Sequence, residues 1–280
     1  METKSVLITG CSSGIGRKTA ELLKSKGFDV FTTARRQEDV EKLKNDGFKA
    51  CTLDVESSSS IKEALNCALS QTGNSLYALV NNAGFGLTSA VEDLTRDQLR
   101  RQFEVNVFGL QELTNLVIPI FRRQGYGRIV NISSVVGKIV IPYFGAYCAS
   151  KFAVEALSDS MRLELCDTKI YVSLVEPGSI NTKFSNNALK AFEELKDKQN
   201  SPHAKAYKII TERRKNALNK QSNKTPAEAV AKKILHALTS KKPRARYPVA
   251  PEAYIVAAGK RILPDSFIDY LSKIKTRKYK

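Results

Sequence analysis

Short apolar runs alternate with amphipathic stretches along the first two thirds of the chain. A stretch with helical periodicity follows each of the first five runs. The runs lie near residues 5–9, 29–34, 49–53, 77–81, 128–132 and 169–175. Parallel strands that are buried on both faces have this continuous apolar character. The pattern therefore predicts an α/β fold in which a doubly wound parallel sheet forms a single domain.

The last third of the chain departs from this alternation. Residues 181–225 are polar, rich in lysine and poor in strand pattern, which favours a mobile lid over a substrate. We therefore expect a single domain over residues 1–280, with a cofactor and catalytic core at 1–180, a substrate lid at 181–225 and a C-terminal helix, strand and basic tail at 226–280.

Two segments have the residue types of a helix start. The serine run 57–60 precedes one predicted helix, and serine is a favoured cap. Thr225, Pro226 and Glu228 suggest a capping box, with Thr225 as the cap and Pro226 at the first helical position. A helix to about Leu238 should follow.

The formal net charge of +17 is concentrated in one part of the chain. Residues 1–180 carry 21 Lys and Arg against 20 Asp and Glu, whereas residues 181–280 carry 24 against 8. No nucleic-acid recognition motif or aromatic stacking array accompanies this charge, so no nucleic-acid partner is expected. Solvated lysines on a lid and tail explain it. Weak attraction to an anionic membrane surface or to acidic substrates is another interpretation, because residues 254–256 and 267–271 mix apolar residues with basic neighbours.

The cysteines favour a reducing compartment. All five, at positions 11, 51, 67, 148 and 166, lack Cys-x-x-Cys spacing and are scattered along the chain, so we expect reduced thiols in a cytoplasmic protein and no metal site. No charged-then-apolar leader precedes the first strand, and no apolar run approaches the roughly 20 residues that span a bilayer. We therefore expect a soluble protein.

A glycine-rich loop connects the first predicted strand to the first predicted helix. Its sequence is Thr9-Gly10-Cys11-Ser12-Ser13-Gly14-Ile15-Gly16. Glycines let the backbone turn sharply and approach a pyrophosphate closely, and the free amides and positive dipole of a helix start favour an anion. The spacing Gly-x-x-x-Gly-x-Gly differs from the Gly-x-Gly-x-x-Gly fingerprint, so the loop indicates a phosphate site by its mechanism.

Tyr147 and Lys151 are four residues apart and share one face of a predicted helix. A tyrosine with a pKa of about 10 exchanges its proton poorly near neutrality, whereas a close lysine charge favours the phenolate. The pair therefore indicates a general acid/base.

Further motifs stand beside this pair and the glycine loop. They are Asn81-Asn82-Ala83-Gly84, Asn106, Ile132-Ser133-Ser134, and Pro177-Gly178 with Thr182. With these motifs, the chain from about Lys4 to Thr182 resembles a short-chain dehydrogenase/reductase of the single-domain, glycine-motif type, which implies a Rossmann-like fold. The segment 4–16, with Arg246-Tyr247-Pro248-Val249 and Arg261-Ile262-Leu263-Pro264, is similar to bacterial NADP-dependent aldehyde reductases related to the retinol and 17β-hydroxysteroid dehydrogenases.

The resemblance implies a catalytic group of Asn106, Ser134, Tyr147 and Lys151. Ser134 is preferred to Ser133 because the family serine lies thirteen residues before its tyrosine. Ser134 and Tyr147 would donate hydrogen bonds to a substrate carbonyl, and Tyr147 would deliver the proton. Lys151 would lower the phenol pKa and hold the nicotinamide ribose. Asn106 would bend its helix and keep a water in a proton relay.

The resemblance also assigns cofactor contacts. Asp54 would accept a hydrogen bond from the adenine amino group, residues 82–84 would lie along the cofactor ribose, and residues 177–182 would receive the nicotinamide carboxamide. The predicted cofactor-binding set is Thr9, Gly10, Ser12, Ser13, Gly14, Ile15, Gly16, Arg35, Asp54, Val55, Asn82, Ala83, Gly84, Tyr147, Lys151, Pro177, Gly178, Ile180 and Thr182.

The end of the second predicted strand favours NADP(H) over NAD(H). An NAD enzyme is expected to place an acid there, against the adenosine ribose, and this chain has Ala34. A 2′-phosphate meets no carboxylate there, and Arg35 follows immediately, with Arg36 or Arg17 as helpers.

An apolar aldehyde or ketone fits the residues next to the catalytic motifs. The predicted pocket wall is Phe85, Val135, Ile139, Tyr143, Phe144 and Phe184. A retinal-like aldehyde, a medium-chain alkanal, a steroid ketone and an acyl-dihydroxyacetone phosphate remain open as substrates. A cofactor-binding sensor without turnover is an alternative of another class. The resemblance implies a homodimer or homotetramer.

Overall fold

One sheet of seven parallel strands runs through the centre of the protein in the computed structural model. The structure describes residues 4–182, 184, 188, 200–219, 224–264, 266–267, 270 and 273. The strands of the sheet are β1 (Ser5–Ile8), β2 (Asp29–Ala34), β3 (Lys49–Thr52), β4 (Ala78–Asn81), β5 (Gly127–Ile132), β6 (Ile170–Pro177) and β9 (Arg246–Val249). Their order is β3-β2-β1-β4-β5-β6-β9. The predicted α/β fold with a doubly wound parallel sheet in one domain is confirmed.

Helices cover both faces of this sheet. They are α1 (Gly14–Ser25), α2 (Gln37–Asn45), α3 (Ser58–Leu69), α4 (Arg96–Phe103), α5 (Gly109–Gln124), α6 (Gly145–Glu164), α7 (Ala204–Asn219), α8 (Ala227–Thr239) and α9 (Pro251–Ile262). Side chains alternate between the faces of a strand. Val6 and Ile8 of β1 accordingly join one apolar core with Ile234 of α8. Leu7 joins the other core with Leu113 of α5.

The strand order reverses between β1 and β4, which creates a crevice at the carboxyl edge of the sheet. β1 pairs with β2 on one side and with β4 on the other, and the chain that leaves β1 turns into the glycine loop. Open α/β sheets bind their ligands at such a switch point. The predicted catalytic and cofactor motifs therefore have the right location in the sheet to share a site.

The two predicted helix starts have different outcomes. Ser57 caps α3, because its side chain accepts a hydrogen bond from the backbone N–H of Ser60. The predicted capping box at Thr225 is wrong. Thr225 and Pro226 form β8 (Thr225–Pro226), which pairs with β7 (Ile180–Asn181), and α8 begins after Pro226 without a side-chain cap. Pairing with a distant segment holds these two residues in an extended conformation and prevents a local cap.

The expectation of five reduced thiols is wrong at two positions. Cys51 of β3 and Cys67 of α3 form a disulfide with a Cα–Cα distance of 6.8 Å. The two cysteines are 16 residues apart in sequence. Because α3 packs against β3, the fold brings the two side chains together. Cys11 and Cys148 are free and buried, and Cys166 is free and exposed.

The predicted lid at 181–225 is described only in part. Residues 183, 185–187, 189–199 and 220–223 lie outside the described residues. The described part contains α7, which buries Ala206, Tyr207 and Ile210. None of the helices in the described ranges is long and apolar enough to cross a membrane. Within the same ranges, no group of three His, Cys, Asp or Glu side chains is placed to hold a metal ion.

Candidate active site

Three neighbouring elements bring the predicted catalytic side chains together at the carboxyl edge of the sheet. Tyr147 and Lys151 lie on successive turns of α6 and are both buried. Ser134 follows the end of β5, and its side chain caps a short 3₁₀ turn at Val135–Gly137. Asn106 lies in a π-helical turn, Glu104–Phe108, which joins α4 to α5. Such π turns are frequent at functional sites.

The phenol of Tyr147 lies in an apolar environment. Its ring packs edge-on against Phe144, at a centroid distance of 5.8 Å, and in a tilted orientation against Phe184, at 5.4 Å. Burial raises the pKa of Tyr147, and a hydrogen bond with Ser134 acts in the opposite direction. The phenol therefore keeps its proton at neutral pH, which is the form that can donate.

The side chain of Lys151 extends from α6 to the end of β5. Its Nζ atom donates a hydrogen bond of 2.8 Å to the backbone oxygen of Ile132 and lies 5.8 Å from the Tyr147 ring centroid. Burial lowers the pKa of Lys151 to about 8, and the negative charge of Glu155 counteracts part of this shift. The predicted lowering of the phenol pKa by Lys151 is not found: the pKa of Tyr147 is raised, because burial has the largest effect on it.

The two adjacent serines of this segment have different environments. The Ser134 hydroxyl donates to the backbone oxygen of Pro177 at 3.4 Å and is near enough to Tyr147 to lower the pKa of the phenol. Ser133 is buried on the side of Gly137 and Glu155, since a Cβ atom on Gly137 would lie 2.9 Å from Ser133 Oγ and 3.0 Å from Glu155 Cγ. Only Ser134 is thus located beside the phenol.

Asn106 is fully buried, and hydrogen bonds to two elements fix its amide group. Its Nδ2 atom donates to the backbone oxygen of Phe85 and to Ser150 Oγ, each at 3.0 Å. Its Oδ1 atom accepts from the N–H of Phe85 at 3.1 Å. A Cβ atom on Gly84 would come within 3.1 Å of this oxygen and 3.9 Å of Lys151 Nζ. Asn106 therefore locks the loop after β4 against the helix that carries Lys151.

The side chain of Asn82 holds the glycine loop in place. Its Nδ2 atom donates to the backbone oxygens of Thr9 and Gly10 at 2.8 and 2.9 Å. Thr9 Oγ1 accepts from the backbone N–H groups of Asn82 and Ala83, both at 2.9 Å. A Cβ atom on Gly16 would lie 2.4 Å from the Gly10 oxygen, so only glycine fits there. The β1 and β4 loops thus form one rigid cradle.

The start of α1 is open for an anion. Gly10 and Gly14 have φ angles of +72° and +60°, and the cap residue Ser13 makes no side-chain cap bond. The first turn of α1 contains no acidic residue. Thr182 lies opposite, 3.2 Å from the position of a Cβ atom on Gly14. The loop and the segment after β6 therefore face each other across a narrow space.

Three arginines were predicted to hold the 2′-phosphate of the cofactor, and one of them has only a long contact with an acidic side chain. Arg17 pairs with Glu21 and Asp46 at 2.8 and 2.9 Å. Arg36 pairs with two acids of α2, Glu38 and Asp39. By contrast, the exposed Arg35 has its recorded acid contact, Glu56, at 3.9 Å. Arg35 can therefore bind a phosphate without breaking a short salt bridge, unlike Arg17 and Arg36.

The remaining predicted cofactor residues line the same edge of the sheet. Asp54 accepts a hydrogen bond from the N–H of Glu56 at 3.1 Å, which is a turn-forming contact. The backbone oxygen of Val55 lies against Gly109 at the start of α5. Ile15 and Ile180 pack against the apolar core that contains Val6 and Ile8. Ala83 packs against the core on the other face of the sheet. Ser12 is exposed. Gly178 abuts Glu252 of α9, which accepts a hydrogen bond from the N–H of Ser179.

Only part of the predicted substrate wall surrounds Tyr147. Val135, Phe144 and Phe184 form an apolar cluster with it. Phe184 and Phe144 cover Gly86, where a Cβ atom would come within 2.8 Å of the Phe184 ring. The clustering of these aromatic rings makes one side of the site strongly apolar.

Tyr143 and Phe85 lie outside this cluster. Tyr143 has a φ angle of +64° and packs against His203 and Tyr207, with centroid distances of 5.5 and 6.1 Å. The Phe85 ring is covered by the Arg101 guanidinium at 5.7 Å. The predicted wall residue Ile139 is half-buried and is also not part of the cluster.

Sequence reasoning missed a polar cluster that connects α7 to the catalytic side of the sheet. Asp93 accepts hydrogen bonds from Ser201, at 2.6 Å, and from Tyr207. Tyr207 Oη also accepts from the N–H of Ala90 at 3.0 Å. His203 contacts Glu92. The partners in each of these contacts are more than 100 positions apart in sequence, so no local sequence pattern predicts the cluster.

A second missed feature is a partly buried network of charged side chains behind Lys151. Arg246 of β9 contacts Glu155 at 3.1 Å and Glu176 at 3.2 Å, and it also pairs with Asp159. Lys138 pairs with Glu176 at 2.7 Å. Burial raises the pKa of Glu155, and Glu176 adds to this rise while Arg246 and Lys138 oppose it. The spacing of Lys151, Glu155 and Asp159 by four residues is the sequence signal that could have indicated this helix face.

Known proteins resemble the chain in sequence and in structure. The short chain dehydrogenase family matches residues 4–192. The chain is 40% identical over 266 residues to the uncharacterized oxidoreductase YbbO of Escherichia coli, covering 95% of this chain and 93% of YbbO. It is 34% identical over 280 residues to the 3-ketodihydrosphingosine reductase of Bacteroides thetaiotaomicron, covering 98% of each chain.

Two further similarities support this comparison. The NADPH-dependent 3-dehydrocapnine reductase of Ornithobacterium rhinotracheale is 34% identical over 273 residues, with 94% of each chain covered. The crystal structure of a short-chain dehydrogenase from Streptomyces avermitilis has a TM-score of 0.79 at 30% identity, covering 99% of this chain and 97% of that one.

Proposed function

The chain belongs to the short-chain dehydrogenase/reductase family, and from that premise we propose that it is an NADP(H)-dependent oxidoreductase that reduces an apolar aldehyde or ketone to the alcohol. Membership makes it an oxidoreductase that interconverts alcohols and carbonyl compounds. The cofactor preference, the substrate class and the direction are the parts that the proposal adds.

One observation carries the proposal. The Tyr147 phenol is buried among aromatic rings, lies beside Ser134, and has Lys151 one turn further along α6. Two hydroxyl donors converge there beside an apolar surface. A carbonyl oxygen that accepted both hydrogen bonds would have its growing negative charge stabilised in a water-poor environment.

Each side chain then has a task. Tyr147 donates its proton to the substrate oxygen. Burial raises the pKa of Tyr147, so the phenol is protonated before the reaction. Ser134 orients the carbonyl. Lys151 would hold the ribose hydroxyls of the cofactor and carries a positive charge beside the phenol. Asn106 keeps the β4 loop and α6 in register. Because the phenol holds its proton at neutral pH, it is in the form that carbonyl reduction requires of a general acid.

The chain fits a nicotinamide dinucleotide at the carboxyl edge of the sheet. The glycine loop admits no Cβ atom at Gly16, and the start of α1 offers free N–H groups without a competing acid. The pyrophosphate would therefore be held by residues 10–16, and the nicotinamide end by Lys151 and the segment around Thr182. The cofactor supplies the hydride.

The preference for NADP(H) rests on Arg35. Ala34 offers no carboxylate at the end of β2, and the nearby Arg35 has an acid contact no shorter than 3.9 Å, so its charge is free to bind a 2′-phosphate. A similar reductase bears NADPH dependence in its name.

A long-chain ketone is the substrate class that we favour within this proposal. The apolar ring cluster at Tyr147 suits an extended hydrocarbon better than a polar sugar. The similar 3-ketodihydrosphingosine reductase, by its name, acts on a ketone of this type. A long-chain 3-ketone is therefore the first candidate, and a retinal-like aldehyde, medium-chain alkanals, ketosteroids and an acyl-dihydroxyacetone phosphate are the alternatives.

The test is a cofactor-oxidation assay with purified protein. Absorbance of the reduced nicotinamide is followed with NADPH or NADH and a panel of 3-ketodihydrosphingosine, medium-chain alkanals, 3- and 17-ketosteroids and an acyl-dihydroxyacetone phosphate. Oxidation of NADPH by an apolar ketone or aldehyde supports the proposal. Tight NADPH binding without turnover on any member would contradict it and favour a sensor that has lost the chemistry.

A further inference from the structure

The solvent-facing side of α9 is apolar, which is the reverse of an ordinary surface helix. Tyr254, Ile255 and Ile262 are 50, 71 and 80% exposed. At 3.6 residues per turn these three residues and the exposed Ala258 fall within an arc of about 100°. Ala253, by contrast, is buried against the rest of the protein. The fold thus leaves the larger apolar side chains outside.

Exposed apolar side chains also follow the helix along the chain. Leu263, Phe267 and Tyr270 are 38, 44 and 60% exposed. Together with Tyr254, Ile255 and Ile262 they form what we term the outer C-terminal face. Scattered exposed apolar residues need no explanation, but six large ones within a segment of fewer than twenty residues indicate a binding surface.

The positive charge of the surrounding sequence indicates which kind of partner this face binds. Residues 251–280 contain seven Lys and Arg against three Asp and Glu. A second copy of the chain would bring an equal excess of positive charge to the same place, and the two would repel. Apolar and aromatic residues flanked by lysine and arginine are suited to the boundary of a bilayer that carries anionic headgroups.

We propose that the outer C-terminal face binds the surface of an anionic lipid bilayer. The apolar and aromatic side chains enter the headgroup region, and the positive charge of the segment attracts the anionic lipids. Such binding is peripheral and reversible, since it depends on a few apolar side chains and on screened charges.

The location of α9 gives this binding a consequence for the active site, and this consequence rests on the proposed function. Glu252, in the first turn of α9, accepts a hydrogen bond from the backbone N–H of Ser179. Its side chain also contacts Gly178, in the segment assigned to the nicotinamide end. A bilayer on the outer C-terminal face would thus lie beside the catalytic edge of the sheet. A membrane-held ketone could then enter without crossing water.

The first experiment measures binding without substrate or cofactor, so its result is independent of the proposed function. Full-length protein is sedimented with vesicles of phosphatidylcholine alone or of phosphatidylcholine with an equal part of phosphatidylglycerol. We expect co-sedimentation with the anionic vesicles and release by high salt. Ile255→Glu should weaken this binding by about tenfold or more, because it removes the burial of one large apolar side chain. Leu163→Glu, at a 61% exposed position on α6, should leave it unchanged.

A fluorescent reporter locates the contact. The chain contains no Trp, so Tyr254→Trp introduces a single reporter on the face and Leu163→Trp a matched one away from it. Emission of Tyr254→Trp should shift to the blue with anionic vesicles, and that of Leu163→Trp should not. Equal binding to both vesicle types, no binding to either, or a blue shift that follows protein concentration without vesicles would overturn the proposal. The last result would mean that copies of the chain cover the face.

Delivery of substrate is tested separately. With 3-ketodihydrosphingosine in anionic vesicles, Ile255→Glu should raise KM and leave kcat unchanged, while a water-soluble aldehyde should be reduced equally by both proteins. Equal KM values on the vesicle-held ketone would overturn the delivery role. No turnover by either protein would instead refute the proposed function and leave the binding result standing.

Discussion

Lys151 Nζ donates a 2.8 Å hydrogen bond to the backbone oxygen of Ile132, two residues before Ser134. This bond fixes the register between α6, which carries Tyr147, and the end of β5, which leads to the serine. Both hydroxyl donors of the site are therefore positioned by the same ammonium group. The protonation state of Lys151 should therefore affect both the positions of the two hydroxyl groups and the electrostatic potential at the phenol.

The first prediction concerns pH. Burial lowers the pKa of Lys151 to about 8, so the side chain is charged below this pH and loses its charge as the pH rises through it. In the free protein, kcat/KM for NADPH should be constant below pH 8 and fall above it, because the neutral amine holds ribose hydroxyls less well. A pH profile of initial rates measures this fall. A profile that stays flat to pH 10 would show that Lys151 remains charged.

Glu155 should set the position of this fall. Its negative charge raises the pKa of Lys151, so Glu155→Gln should move the fall to lower pH. Asp159→Asn is the matched control, since Asp159 lies one turn further along α6 and also pairs with Arg246, but does not act on Lys151. An equal displacement in both variants would mean that the network as a whole, and not Glu155, controls the lysine.

The second prediction concerns proton delivery. Tyr147→Phe removes the phenolic proton and keeps the ring that packs on Phe144 and Phe184. Turnover should fall by about 10²–10⁴-fold, the usual loss when a general acid is removed, while NADPH affinity changes little. Stopped-flow turnover and fluorescence titration with NADPH measure the two quantities. Tyr143→Phe, which alters a tyrosine outside the apolar cluster, should retain activity within a few fold.

The order of strands and helices could be predicted because it depends on local patterns. Apolar runs and intervening helical stretches fix an α/β sheet, and the carboxyl edge of that sheet then locates the glycine loop and the Tyr147 helix. Thr225 was misassigned because its conformation depends on pairing with Ile180, about 45 residues earlier.

Long-range contacts explain the rest of what the sequence did not reveal. Arg246 and Glu155 are 91 residues apart, and only the assembled sheet brings them together behind Lys151. The disulfide between Cys51 and Cys67 likewise depends on how α3 packs on β3. Tyr143, although four residues before Tyr147, adopts a positive φ and packs against α7 instead of the apolar cluster.

The third prediction concerns the cradle formed by the glycine loop. A Cβ atom at Gly16 would lie 2.4 Å from the Gly10 oxygen and 2.5 Å from Asn82 Nδ2. Gly16→Ala should therefore displace the loop and abolish NADPH binding, and thermal unfolding should show a lower melting temperature. Gly259→Ala, on α9, has its nearest contact at 3.4 Å, so it should be neutral or stabilising by up to about 1 kcal/mol. A Gly16→Ala protein with normal NADPH affinity would contradict the close approach.

The fourth prediction separates the two cofactors. Arg35→Ala should weaken NADPH binding by about 10–100-fold and leave NADH nearly unaffected, since a charge-assisted hydrogen bond contributes about 1.5–3 kcal/mol. Ala34→Asp should go further and reverse the preference, because a carboxylate accepts ribose hydroxyls and repels a phosphate. The ratio of kcat/KM values for NADPH and NADH measures both effects.

Arg36→Ala is the matched control for this assignment. Arg36 follows Arg35 directly and is equally exposed, but its guanidinium already pairs with Glu38 and Asp39 of α2. A bound phosphate would have to break those pairs, whereas Arg35 has only to leave a contact of 3.9 Å with Glu56. Arg36→Ala should thus change the cofactor ratio by only a few fold. If the Arg36 variant lost the NADPH preference and the Arg35 variant kept it, the phosphate would lie over the start of α2 and not beside the end of β2.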